Sequence, residues 1–349
     1  MTLSVLVYLE RREASANRLR RWATYLGCAG VMVLGLGSAW QALGLGVLVP
    51  AYFDPATGSA WDSLNQAAQR VPLIAIMNPN NGPSTSSDAA YRRALSALRN
   101  AGGQVIGYVY SSYTARAIGE VKTDIDRYDS FYTIDGIFVD EMTNDSNASH
   151  LAYYAELYRY IKSKRSSYLV MGNPGINTLE RYLVTPVTDA LVTFESNVGY
   201  TQYVPDAWTQ TKEATAFSHL CYSVAAPTTM TNYVLLAVAR NAGYIYVTDD
   251  LGNNPWDTLP TYWDVEVSLV ESLNRQAASN QPPSLSIFLS TNGAVQLHVG
   301  GAPGRYVLQT STNLSEWESA TTNMSAAGSF SISDALATNP PVRLYRAVQ

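Results

Sequence analysis

Between residues 47 and 248 one pattern recurs eight times: a short, continuous apolar run and then a longer stretch of mixed character. The runs are 47–53, 72–77, 104–110, 134–139, 168–172, 189–194, 217–222 and 243–248. Their apolarity is unbroken rather than alternating, which suits parallel strands covered on both faces. Helical spacing appears between them. Trp61, Leu64 and Ala68 share a face in 59–70, and Ala89, Leu95 and Leu98 do so in 87–99, opened by Ser87-Asp88 as a cap. Leu151, Tyr154, Ala155 and Tyr158 line 148–164, which ends in Lys162 and Lys164, and Tyr233, Leu236 and Val238 line 228–241. The links at 115–128, 177–184, 206–214 and 260–275 are less regular but long enough for crossovers. An open doubly wound sheet is the rival architecture. Eight regular units favour a closed (β/α)8 barrel, in which ligand chemistry belongs at the C-terminal ends of the strands.

Polar residues collect at those ends. They include Tyr52 after the first run, Asn78 and Asn80 after the second, and Tyr113 and Arg116 after the third. Asp140 and Glu141 end the fourth, Asn173 the fifth, Glu195 the sixth, and Asp249-Asp250 the eighth, followed by Trp256. Asn-Pro, Asn-Gly and Pro-Gly are ordinary turn chemistry, so the asparagines alone carry little. Carboxylates ending buried strands carry more, because an ionised carboxylate out of water costs several kcal/mol unless paired or used. Asp140, Glu141 and Glu195 therefore read as catalytic. Two carboxylates at one cleft are the minimal equipment for glycoside hydrolysis: one protonates the leaving oxygen, and the other attacks the anomeric carbon or activates water. Tyr52, Tyr108, Tyr113, Tyr200, Tyr246 and Trp256 are candidate platforms for sugar rings, with core packing as the competing role, about equally strong for Tyr108 and Tyr246.

Other chemistries are poorly supplied. His150, His219 and His298 are scattered, with no HExxH, so no metal site is expected; nor is there a GxSxG elbow, a Walker loop or a GxGxxG after the first strand. No cofactor is implied. His219 lies in an apolar run and reads as a core residue. Asp249-Asp250 alone are a thin basis for a cation site. A net charge of −5 provides no field for nucleic acid.

The chain has an uncharged run at 23–39 behind Arg18, Arg20 and Arg21, with small residues at Gly37 and Ala39. This is a secretory-leader pattern with cleavage after Ala39; a retained membrane anchor is the rival. Cleavage removes five Arg and two Glu, leaving 18 basic against 26 acidic residues, or −8. It also leaves Cys221 alone, so stability must come from the core rather than from a disulfide. The expectation is an exported or surface-tethered monomer, with any membrane contact made through residues 1–39.

Several blocks resemble one family. Val49-Pro50-Ala51-Tyr52-Phe53, Asn78-Pro79-Asn80-Asn81-Gly82-Pro83, Gly107-Tyr108-Val109 with Tyr113-Thr114-Ala115-Arg116, Asp124-Ile125-Asp126, and Gly136-Ile137-Phe138-Val139-Asp140-Glu141 are similar, in order over about 47–275, to the spherulation-specific (spherulin-4-like) family. The resemblance implies a barrel glycosidase acting on α-1,4-linked N-acetylgalactosamine stretches of microbial exopolysaccharide. It implies that Asp140 and Glu141 are the family's acidic pair and Glu195 its essential glutamate. It also implies weaker positioning roles for Asn78, Tyr108, Arg116 and Asn173. Our assignment is Asp140 as nucleophile or charge stabiliser and Glu195 as proton donor. One tension remains: consecutive strand residues face opposite ways. Asp140 and Glu141 both reach the cleft only if the strand has ended or bulged.

Residues 276–284, with Pro282-Pro283, read as a linker between a barrel domain at 40–275 and a C-terminal β module at 285–349. Short alternating runs at 285–289, 294–299 and 306–308, separated by Gly300-Gly301 and Pro303-Gly304, mark that module as all-β. Its role is open between attachment, sorting, glycan binding and a spacer. The functional expectation is a secreted endo-acting glycosidase whose partner is a polysaccharide, and the −8 charge suits a partly deacetylated, cationic polymer. The rivals are a glycosidase on another polymer and a non-catalytic wall, spore-coat or glycan-binding protein on the same scaffold.

Overall fold

The computed structural model describes residues 44–56, 59–184, 186–280, 283–289, 295–301, 304–313, 315–325, 328–334 and 344–348, together with 6–9 and 31–34. It divides into two compact units, Leu43–Asn274 and a second made of Met1–Ala42 with Arg275–Gln349.

The first unit is a closed, all-parallel barrel of eight strands. They are β1 (Gly46–Ala51), β2 (Leu73–Met77), β3 (Gln104–Tyr110), β4 (Gly136–Asp140), β5 (Leu169–Gly172), β6 (Ala190–Ser196), β7 (Phe217–Cys221) and β8 (Tyr244–Val247). Each pairs with its chain neighbours, and β8 closes on β1 with Tyr244 opposite Gly46. The strands β1, β2 and β7 are buried along their whole length, as continuous apolarity requires when the barrel interior lies on one side and helices on the other.

Helices α1 (Ala60–Ala68), α2 (Ala89–Asn100), α3 (Ile118–Phe131), α4 (Ala148–Lys164), α5 (Arg181–Val184) and α6 (Pro227–Ala239) make crossovers, and α7 (Trp263–Asn280) follows the last strand. Asp88 caps α2 by accepting from the Ala90 and Tyr91 amides, and Asn147 caps α4 by accepting from Ser149. The sixth crossover has no α-helix. It is built from 3-10 turns at Tyr200–Gln202, Ala207–Thr211 and Ala214–Ala216, where Gly199 and Pro205 interrupt helical runs.

Helix α7 corrects one boundary. Residues 276–280, expected in a linker, continue this helix. Gln276, Ala277 and Ala278 are good helix formers, and Pro282 is the first residue that cannot be accommodated in a continuing helix.

The second unit contains two three-stranded antiparallel sheets. One orders β9 (Ser284–Leu289), β10 (Val295–Gly300) and β13 (Ser329–Asp334); the other orders β12 (Glu318–Ser325), β11 (Gly304–Ser311) and β14 (Leu344–Val348). Alternate residues Leu285, Leu297, Val299, Tyr306, Leu308, Tyr345 and Ala347 form its core. The leader expected at 23–39 lies outside the described residues apart from Val31–Leu34, which pairs antiparallel with Leu6–Leu9. Among the described residues no helix is long and apolar enough to cross a membrane.

Candidate active site

Strand β4 stops at Asp140. The next residue, Glu141, has φ of 52°, so strand alternation no longer applies and both carboxylates stay at the mouth end. The loop after β3 braces this break. Ser111 N–H donates to the Asp140 carbonyl at 3.0 Å, and Tyr113 N–H to the Glu141 carbonyl at 2.8 Å. Ser111 Oγ donates to the Glu141 carbonyl at 2.8 Å, and Ser112 Oγ to Glu141 Oε2 at 3.1 Å. In that loop Ser112, Tyr113 and Thr114 all have positive φ, at 47°, 55° and 75°. Four non-glycine residues in left-handed backbone within one bonded cluster is the kind of strain that concentrates at functional sites.

Strand β6 brings Glu195 inward by a different device. Val192 pairs with Ser218 of β7, and Phe194 pairs with the very next residue, His219, so Thr193 is an extra, bulged residue. Phe194 then faces the same side as His219, packing in an aromatic group with Tyr200 and Tyr203. Glu195, one residue on, faces the opposite side, toward the barrel axis. Without the bulge the alternation would turn Glu195 outward.

Asn173, at the end of β5, joins the two acids. Its Nδ2 donates to Asp140 Oδ1 at 2.7 Å and to Glu195 Oε2 at 2.5 Å. Burial pushes the Asp140 carboxyl above its ordinary value, with the Glu141 charge adding. The Glu141 backbone N–H, the Tyr108 hydroxyl and Asn173 oppose that by hydrogen bonding to it. Glu195 is pushed up to about 7, first by burial and then by the Asp140 charge. Tyr108 is pushed up by burial and by Asp140, and Tyr52 by burial and then by Asp140, so both stay neutral hydroxyls. Their rings meet edge to face at 5.6 Å, and Tyr108 stacks on Phe138. Tyr113 is 62% exposed, yet partial desolvation and the charges of Glu141, Asp140 and Glu195 raise its hydroxyl. It stands at the rim with an open ring face.

The remaining expected contacts are engaged elsewhere. Arg116 pairs with Asp124 at 2.5 Å and lies over the Tyr110 ring, fastening the β3–α3 loop. Asn78 accepts from the Gly82 amide and closes the 78–82 turn, leaving Asn80 exposed in that turn. Tyr246 shares a face with Glu195, since both pair with Leu220, but it is fully buried against Trp256 and Trp263 and offers no open ring face. Trp256 is 7% exposed between Tyr222 and Tyr246, so it offers no open platform. Asp249 accepts from the backbone and hydroxyl of Thr261, tying the entry to α7. His219 bonds the Tyr200 hydroxyl at 2.7 Å, and burial lowers it to about 3. Among the described residues no group of three or more His, Cys, Asp or Glu could hold a metal ion. Ser111, Ser112 and the Thr193 bulge were not singled out from sequence. The Ser-Ser pair before Tyr113 is a faint signal, and a bulge has none.

Residues 46–270 match the family described as Spherulation-specific family 4. The chain is 38% identical to Spherulin-4 of Physarum polycephalum over 241 residues, covering 65% of this chain and 70% of that one. Among solved structures it is similar to Aspergillus clavatus Sph3, determined in complex with GalNAc. That match has a TM-score of 0.57 and 25% identity, and covers 66% of this chain and 98% of Sph3. The matched span contains the whole barrel and every residue that braces Asp140, Glu141 and Glu195. The chain belongs to the spherulation-specific family 4.

Proposed function

We propose that the barrel is an endo-acting glycoside hydrolase that cleaves α-1,4-linked N-acetylgalactosamine-containing microbial exopolysaccharide, with Asp140 and Glu195 as the reacting carboxylates. The observation that carries this reading is their convergence on one amide nitrogen. Two acceptor oxygens held by the same nitrogen at 2.7 and 2.5 Å lie closer together than the sum of those bonds. That supports the short-spacing class, about 5–5.5 Å between carboxyl groups, which works by double displacement.

In that route Asp140 attacks the anomeric carbon. Glu195, held protonated by burial and by the Asp140 charge, gives its proton to the departing glycosidic oxygen. Glu195 then takes a proton from the water that hydrolyses the glycosyl–Asp140 ester. Tyr108 bonds Asp140 and steadies it, and Glu141 stands beside them as an acceptor for sugar hydroxyls. Tyr113 offers a ring face for a neighbouring sugar. The likeness to Sph3, which was solved with GalNAc, supports the choice of sugar. The leader pattern at 18–39 supports action outside the cell.

The test is incubation of the purified protein with α-1,4-linked N-acetylgalactosamine polymer, and with cellulose, chitin and pectin as controls. New reducing ends from the first polymer alone are expected. Ends from a control alone would redirect the substrate assignment. Binding without cleavage of any polymer would leave a glycan-binding barrel.

A further inference from the structure

Asp140 and Glu195 sit on strands that are not neighbours, and the segment between those strands does more than connect them. Asn173 N–H donates to the Val139 carbonyl at 2.8 Å, and Met142 N–H donates to the Asn173 carbonyl at 3.0 Å, so its backbone brackets the break in β4. Two residues on, Gly175 N–H donates to Val192 at 3.2 Å and its carbonyl accepts from Glu195 N–H at 2.8 Å. Gly175 has φ of 69°, a left-handed backbone that glycine adopts without strain, and it lies in ordinary contact distance of Glu195 Cβ and Asn173 Oδ1. Residues 173–175 are thus laced to both carboxylate-bearing strands.

We propose that Asn173 is the positioning residue of this site: its amide sets the spacing of Asp140 and Glu195 and confines the exchangeable proton to Glu195 Oε1. This inference rests on the hydrolase reading for its catalytic consequence, but not for its geometry. An amide nitrogen has two hydrogens, and both are spent here, one on each carboxyl group. Glu195 Oε2 must therefore remain an acceptor. The hydroxyl oxygen of a neutral carboxylic acid is the poorer acceptor, so the proton resides on the other oxygen, Oε1, which is free to face a leaving group. The amide orientation has the same logic. Asn173 is 6% exposed, and its Oδ1 is buried with no hydrogen-bond partner. Turning the amide over would trade one unpaired oxygen for an oxygen aimed at two carboxylates.

The other groups facing the pair are Glu141 at the end of β4, Tyr52 after β1, Tyr108 on β3 and Tyr113 in the following loop, all acidic or phenolic. Among the described residues no ion pair involves Asp140 or Glu195. Asn173 is thus the donor common to both acids. A donor to a carboxylate favours its ionised form. Removing the amide must therefore raise the Glu195 titration further, in addition to loosening the spacing.

The experiment compares the full chain with Asn173→Ala and with the isosteric Asn173→Asp, using two readouts. One is the pH profile of polymer cleavage. The other is titration of the Glu195 carboxyl in the protein alone, by isotope-edited infrared or NMR, assigned with Glu195→Gln. Asn173→Ala is expected to lose about a hundredfold in rate, the scale of one preorganised donor. Its alkaline limb and Glu195 titration should both move to higher pH. Asn173→Asp should lose activity more steeply as pH rises and the added carboxyl ionises. A loss of rate in Asn173→Ala with both titrations unmoved, or no loss at all, would overturn the proposal. A wild-type protein that cleaves nothing, while Asn173→Ala still shifts the Glu195 titration, would sustain the positioning role and defeat the hydrolase reading.

Discussion

The barrel mouth carries two sets of carboxylates that look alike in sequence and differ in what their oxygens touch. Asp249 and Asp250 lie just past the end of β8, and Asp140 and Glu141 lie at the end of β4. At β8, however, Asp249 accepts from the Thr261 amide and hydroxyl, and Asp250 accepts from Leu251 and from the amide and hydroxyl of Thr258. Those acids fasten loops. Across the mouth, Asp140 and Glu195 share one amide nitrogen and are pushed upward in pKa by burial and by their acidic neighbours. A carboxylate satisfied by local amides holds structure. A carboxylate buried beside another carboxylate is pushed toward its protonated form and can exchange a proton near neutral pH.

The largest expected effect separates the two sets directly. Glu195→Gln should lower the cleavage rate at least about a hundredfold. It should also stabilise the protein at alkaline pH. The folded-state value of about 7 lies above the ordinary 4.5, so the folded chain holds this proton more tightly than the unfolded chain does. The stabilisation is complete below about 4.5 and is lost as pH rises through 7. Melting curves at pH 5 and pH 8 should therefore show a drop in the wild type that is smaller in Glu195→Gln. Equal drops would place Glu195 in the same class as the fastening acids.

Next in size is the pH profile of the wild type. Cleavage should fall as pH rises through about 7, where Glu195 ionises. It should also fall toward acid as Asp140, itself shifted upward, becomes protonated. The two limbs belong to the pair rather than to either residue alone. A flat profile between pH 5 and 9 would remove Glu195 as proton donor.

Tyr113→Ala should raise KM by about fivefold, the worth of one aromatic contact, without moving the melting temperature, because the ring is largely exposed. The smallest effect on activity is expected from Asp249→Ala: kcat within about twofold of wild type, but stability lowered by about 1–3 kcal/mol through lost charged hydrogen bonds. A large kcat loss with an unchanged melting temperature would erase the distinction between the two carboxylate sets.

The barrel was legible because burial on both faces leaves a continuous apolar run, and eight of these were visible. The strand ends of 47–53 and 134–139 moved by only a few residues, to Gly46–Ala51 and Gly136–Asp140. Asp140, Glu141 and Glu195 stood out because charges at the ends of apolar strands are costly to leave unused. Tyr246 and Trp256, candidate sugar platforms by residue type, are both buried, because what packs over a ring is set by distant segments and not by its neighbours along the chain. Asn173 sits in Asn-Pro-Gly, which reads equally well as a turn, so its bridging role was invisible until β4 and β6 were placed on either side of it.

Periodicity and the cost of burying charge, both local properties of the chain, were enough to specify a parallel barrel and the end of it that carries the acids. Which acids meet was decided by tertiary structure alone. The left-handed Glu141 and the extra residue at Thr193 each change the direction of a side chain by breaking strand alternation, and such breaks arise from pairing with distant strands rather than from any pattern along the chain.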